Sequence, residues 1–201
     1  MRKYLLVSLI LICSSCLFAQ DRMLLMSGKE LDKIKVNEIT ANTVTYQHEG
    51  SASEHKIYRE NVFSVSYANG TEKVLYMPLP EENDLDAEQM RMFLRGTQDA
   101  RVHYKNYSSY FIGFVSGVAG PILASYSLPP IIAFPPATGI FLSSLSSPKM
   151  ANLPYVDKKL LNNEEYMMGF QRKARAKKIR NAFFGSLVGV AATLVFMESQ
   201  K

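Results

Sequence analysis

Residues 106–148 form a run of 43 positions without one charged side chain. About 20 apolar helical residues cross a bilayer core, so the run is long enough for two passes. Its prolines, at 121, 129, 130, 135, 136 and 148, prevent a single straight helix. They leave a first helix at 107–126, kinked by Pro121, and confine a second to about 136–147. Twelve helical residues rise only about 18 Å against about 30 Å of hydrocarbon, so the second piece is predicted to be re-entrant or interfacial. Backbone left unpaired at the proline turns must face protein or water, because lipid cannot satisfy it.

A further apolar stretch closes the chain. Residues 181–197 carry no charge, and at seventeen residues they reach the lower limit of a span. Gly185 and Gly189 form a GxxxG pair there, and Gly113 and Gly117 form another in the first apolar helix. In lipid such pairs let backbones approach until van der Waals contact replaces the missing hydrophobic drive. The two helices are therefore predicted to pack on each other or on copies of themselves. Just before the last stretch, Arg172, Lys173, Arg175, Lys177, Lys178 and Arg180 form a basic run without an acid, read as a membrane-surface element on anionic headgroups. Basic loops favour the cytoplasm. With an exported N-terminal half, that rule predicts that 107–147 crosses once and the final helix crosses back.

Export is suggested by the start of the chain. Arg2 and Lys3 precede an apolar stretch from residue 5 to 13, and Ala19 offers a small residue before Gln20. Cleavage after Ala19 is the preferred reading; an uncleaved anchor and lipid attachment at Cys16 stay open. Both cysteines, Cys13 and Cys16, lie within this segment, so cleavage leaves no disulfide framework and no Cys-based metal site.

The stretch 22–77 reads as five or six short strands. Phe63, Val65 and Tyr67 alternate with serines, Asn69-Gly70 supplies a hairpin turn, and Val74 and Tyr76 continue on the return strand. Ile34 and Val36, then Val44 and Tyr46, alternate on either side of a turn at Ala41-Asn42. A flat sheet of this size buries too little alone, so a bent sheet or an SH3-like or Sm-like barrel is expected, with Ile57, Val62 and Phe63 completing the core. His48 and His55 flank the Gly50 turn, and two exposed loop histidines is the preferred reading over a metal pair. A polar hinge then leads to a helix over 86–107 capped by Asp84 or Asp86, with Gly96 and Ala100 small enough for close packing. Asp99 and His103 share a face of it but have no nucleophile beside them. There is no G-x-S-x-G elbow, H-E-x-x-H helix or paired-carboxylate arrangement, which argues against a hydrolase.

The order of "GTQDARVHY" (96–104), the Gly/Pro-rich apolar stretch, "LLNNEEYMMGFQRKARAKK" (160–178) and a glycine-bearing apolar end resembles an uncharacterised family of exported or membrane-associated envelope proteins of Bacteroidota. Its members place a short β module before that half. The resemblance implies an envelope location and carries no activity or site residues; His103 stands where members often have an aromatic residue.

The expected protein is α+β. A signal peptide (1–19) precedes a small antiparallel β domain (20–78), then an acidic linker with an amphipathic helix (79–106). Gly/Pro-rich apolar helices (107–148), an amphipathic basic segment (149–181) and a C-terminal apolar helix (182–198) complete it. The expected role is non-enzymatic, with no cofactor. The β module would contact a protein partner in the periplasm, and the helices would anchor in lipid or form a homo-oligomer. Inner and outer membrane are not distinguished, and nucleic acid is not expected. The alternative is a small-molecule or lipid-handling membrane protein with a cavity lined by the broken helices.

Overall fold

A computed structural model of the chain describes residues 20–79, 84–124, 135–145, 148 and 158–199. The expected signal with Cys13, Cys16 and Ala19, the centre of the acidic hinge, the proline turn at 129–130 and the stretch 149–157 lie outside the described residues. The chain divides between Met90 and Arg91 into two compact units, and the fold is α+β.

The first unit is a six-stranded antiparallel sheet in the order β4-β3-β2-β1-β5-β6. Its strands are β1 (Asp21–Leu25), β2 (Glu30–Ile39), β3 (Thr43–His48), β4 (Glu54–Tyr58), β5 (Val62–Ser66) and β6 (Glu72–Val74). The sheet stays open, with β4 and β6 as its edges, so the SH3-like or Sm-like barrel is not closed. β6 is three residues long and pairs only with β5, which leaves too little strand to complete a ring. The sheet carries irregularities of the kind that bend strands. Lys33 takes a positive φ of 56° where the β1–β2 register shifts, and the β2–β3 register shifts again after Val36. The Asp21 carboxylate spans the irregular region, accepting the amides of Val36 and Ala68, both at 2.9 Å.

A third irregularity alters the predicted alternation on β5. Leu24 pairs with Ser64 but Leu25 pairs with Val62, so Phe63 is the extra residue. Val62 and Val65 thereby enter one core with Met23, Ile34, Val44 and Leu75, while Ile57 and Tyr67 pack against it. Phe63 is buried beside Tyr76 instead, ring centroids 6.0 Å apart. In the Tyr67–Thr71 turn only Gly70 has a positive φ, and Asn69 serves by accepting the amide and hydroxyl of Thr71.

The second unit is built from helices α1 (Ala87–His103), α2 (Ser108–Ala124), α3 (Pro135–Ser144) and α4 (Glu164–Ser199). Reciprocal bonds between Asp86 and Gln89 make a capping box at the start of α1. Asn106 caps α2 through the Ser109 amide, and Asn163 caps α4 through the Tyr166 amide. Asn163 therefore starts the last helix. Pro121 falls in the last turns of α2, and α3 begins at Pro135, where a first turn has no use for the missing amide. The basic segment and the last apolar stretch, drawn as separate pieces from the sequence, are one helix of 36 residues, about 54 Å long. No proline or glycine interrupts it at Arg180-Asn181.

Candidate membrane-interface site

α4 presents a stripe of buried residues: Tyr166, Phe170, Ala174, Lys178, Ala182, Ser186, Gly189 and Thr193. Apart from the first two and Lys178 these are small, and their spacing of three or four keeps them on one face. α1 and then α2 run along this face in the same direction as α4. Thr97 donates to the Gly169 carbonyl, Asn181 donates to the Asn106 carbonyl, and further on Gly185 meets Tyr110 and Gly189 meets Phe114. Both partners advance together, so the helices are parallel.

The four glycines singled out from the sequence all lie at this contact. A Cβ at Gly113 would strike the Ala182 carbonyl, one at Gly117 the Ser186 carbonyl, one at Gly185 the Tyr110 carbonyl and one at Gly189 the Phe114 carbonyl. The same close approach continues between α1 and α4, where Gly96 meets the Tyr166 carbonyl and Gly169 the Phe93 carbonyl. Gly169 was not signalled by the sequence, because Glu165 and Lys173 stand four residues to either side of it and no GxxxG pair forms. α3 packs on both α2 and α4, with Gly139 against Ser116.

Parallel packing corrects the expected crossing pattern. With Asn106 bonded to Asn181, α2 and the apolar half of α4 start at the same level and point the same way. They cannot cross a bilayer in opposite senses, as the basic-loop rule required.

Between the end of α1 and the start of α2 lie four non-helical residues, 104–107, and α4 supplies partners there. The Lys177 amine donates to the carbonyls of Arg101 at 2.5 Å and Tyr104 at 3.0 Å, closing the C-terminus of α1 with a cation. Asn106 donates to the Tyr104 hydroxyl, and Tyr166 donates to Asp99 at 2.7 Å. Asp99 is thus a packing partner of α4.

The structure divides the six bases. Arg172 lies 5.8 Å over the Phe93 ring. Lys173, Lys177 and Arg180 share a field with Arg101 of α1. Burial, then the surrounding cations Arg101 and Arg180, hold the Lys173 ammonium below the ordinary lysine range, and Lys177 is lowered by burial and by Arg180, Lys173 and Arg101. Lys178 is 3% exposed within the stripe, and burial followed by the nearby Arg175 lowers it too. Arg101 was not identified from the sequence, since its place beside this run depends on the parallel contact.

Beyond the bases the surface becomes apolar. Phe184, Leu187, Val188, Leu194, Val195 and Phe196 of α4 are exposed, as are Phe111 and Val115 of α2 and Phe141 of α3. α4 is long and apolar enough to cross a membrane, by length and composition.

No family model, curated protein or solved structure matches this chain.

In the sheet unit, His48 and His55 are exposed and stack with Tyr46, ring centroids 5.3–5.6 Å apart. The described residues contain no group of three or more His, Cys, Asp or Glu that could hold a metal ion. An open groove of about 550 Å³ is lined by Met26, Asn42, Tyr58, Arg59, Leu75 and Met77 among others.

Proposed function

We propose that this chain is a non-enzymatic membrane protein of the cell envelope, whose helical unit anchors it and whose sheet unit contacts a protein partner. The observation that carries the reading is the outward apolar belt of α2, α3 and α4 ending at a collar of bases. A water-soluble protein rarely leaves so many large apolar side chains exposed together. The resemblance to envelope proteins of Bacteroidota agrees with this location. The groove beside Tyr58 and Met77, which are 65% and 70% exposed, is the surface offered to the partner.

No apolar segment separates the sheet from α1, and α1 lies along the basic half of α4. The sheet, α1 and the bases therefore share one side of the bilayer. With an export signal that side is the periplasm, where the basic run does not serve the cytoplasmic-charge bias. It serves headgroup contact instead.

Carbonate washing of membranes from cells expressing the full chain tests the anchor: the protein stays in the pellet. Release into the supernatant refutes the reading. A tag after Leu79 and a tag after Asn162 should be equally open to protease added to the periplasm; opposite protection would refute the shared side.

Lipid handling has one supporting observation. α2 and α3 line an almost wholly apolar groove of about 430 Å³, including Phe111, Val115, Leu123 and Leu142. Transfer of a fluorescent lipid between vesicles at a rate abolished by Val115→Trp would favour it.

A further inference from the structure

We propose that His48 and His55 form a two-histidine binding site for a zinc ion on the sheet unit. The site stands on side-chain geometry within that unit and does not depend on the membrane reading.

Strand pairing makes neighbours of two histidines that the Gly50 turn separates. His55 in β4 lies opposite Tyr46 in β3, and His48 follows Tyr46 by two residues on the same face. The histidines are therefore a diagonal cross-strand pair, with ring centroids 5.3 Å apart, and not loop residues. The Tyr46 ring lies 5.5 Å from His48 and 5.6 Å from His55. Tyr46 also packs against the sheet core, so it gives the pair a fixed floor.

The spacing suits zinc. An imidazole nitrogen lies about 1.2 Å from its ring centre and about 2.0–2.1 Å from bound zinc, so each ring centre stands about 3.2 Å from the ion. Two such arms at the tetrahedral angle place the ring centres about 5.2 Å apart. The right angle of a square-planar Cu(II) centre would place them about 4.5 Å apart. The observed 5.3 Å matches the tetrahedral case. Both rings are exposed, so each can turn about χ2 to aim a nitrogen at the shared point. Imidazole suits zinc and the later first-row metals, whereas magnesium and calcium take oxygen ligands.

The nearby carboxylates are directed elsewhere. Glu54 and Lys56 flank His55 in β4, so their side chains take the other face of the sheet. Glu54 accepts from Asn37, and Glu49 accepts from Gln20. The described residues bring no third His, Cys, Asp or Glu into a metal-holding group. Water then fills the remaining positions, and a ligand from outside the chain can replace it.

The test is calorimetric titration of zinc chloride into the full chain, purified without a histidine tag in dodecyl maltoside. One zinc should bind. Loss of a supporting partner of a metal ligand costs about tenfold or more in affinity, and loss of the ligand itself costs no less, so His48→Phe and His55→Phe should each weaken binding by at least about tenfold. Phenylalanine keeps a ring on Tyr46 while removing the nitrogens, and circular dichroism of each variant should match the parent. His55→Gln repeats the comparison with a smaller side chain if the phenylalanine disturbs the strands. His103→Gln removes a histidine from α1 and should leave zinc binding unchanged. Millimolar calcium should not compete.

A parent chain that takes up no zinc overturns the proposal. So does zinc retained at parental affinity by the His48→Phe/His55→Phe double variant, which would place the ion elsewhere. Competition by calcium would assign the ion to carboxylates and overturns the two-histidine site. A loss in His103→Gln as large as that in His55→Phe would mean scattered histidine binding and overturns it as well.

Discussion

Gly117→Ala should destabilise the helical unit even though alanine is the better helix former. The added methyl would point at α4, into the Ser186 carbonyl, with the Gly189 Cα only 2.9 Å away. Carbon atoms in contact sit about 3.5–4.0 Å apart, so the helices must part locally by about 0.6 Å or more. A gap of that size forfeits about a quarter to a half of each contact's dispersion energy around it. Overpacking of this kind costs about 1–3 kcal/mol, and a backbone obstacle cannot rotate away, which favours the upper end. The helix-propensity gain returns about 1 kcal/mol, leaving a net loss of about 2 kcal/mol. Gly139→Ala is the contrast. There the nearest atom is the Ser116 hydroxyl, a side-chain end that can turn, although it would give up its bond to the Gly113 carbonyl. Loss of that bond, about 1 kcal/mol, nearly cancels the propensity gain, and the Gly113 Cα at 3.1 Å asks only for a shift smaller than Gly117→Ala requires.

Unfolding from dodecyl maltoside by increasing mole fraction of dodecyl sulfate, followed by circular dichroism, measures both. The double variant Gly117→Ala/Gly189→Ala adds a cycle. Once one methyl has parted the helices, the second costs less, so the two losses fall short of additivity by about 0.5 kcal/mol or more. If Gly117→Ala unfolds no earlier than the parent, or gains stability like an exposed helical site, the close parallel contact is refuted.

Four further outcomes follow from named contacts. Lys177→Met removes the cation that closes α1 and should cost about 1–2 kcal/mol in the same unfolding assay, with an unchanged midpoint counting against the cap. The depressed Lys177 pKa has a definite sign. The folded state holds the proton less tightly than the unfolded one, so stability rises as pH climbs from the lowered pKa to the ordinary lysine value. That alkaline rise should shrink in Lys177→Met; an undiminished rise would assign it to other groups. Asp21→Ala frees the amides of Val36 and Ala68 and should cost about 1–3 kcal/mol. Asp21→Asn keeps one acceptor and should cost less, with hydrogen exchange at those two amides as the site-specific readout. Asp86→Ala breaks the capping box, and the loss of about 1 kcal/mol should appear as faster exchange at the Gln89 amide.

Most elements were legible because local pattern specifies them. Strand alternation, the Gly70 turn, the cap at Asp86 and the helix start near Pro135 depend on a few neighbouring residues each. What escaped depends on register. The extra residue at Phe63 shifts one strand against another, and nothing in "NVFSVSY" announces it. The junction at Arg180-Asn181 looked like a boundary because composition changes there, but hydrogen bonding along a helix does not respond to polarity, and α4 continues through it. The site was legible by halves. The six bases were visible as a run, whereas Arg101 and Gly169 acquire their roles only against another helix.

By itself the neutral run dictated an apolar helical half, broken where proline removes an amide and held close where glycine removes a side chain. It could not set direction. A small-residue stripe packs a parallel or an antiparallel neighbour equally well, since close approach needs only the absence of a Cβ. The choice came from directional contacts between distant residues. Lys177 on the carbonyls ending α1, and Asn181 on the carbonyl that precedes α2, can be made together only when the helices run the same way.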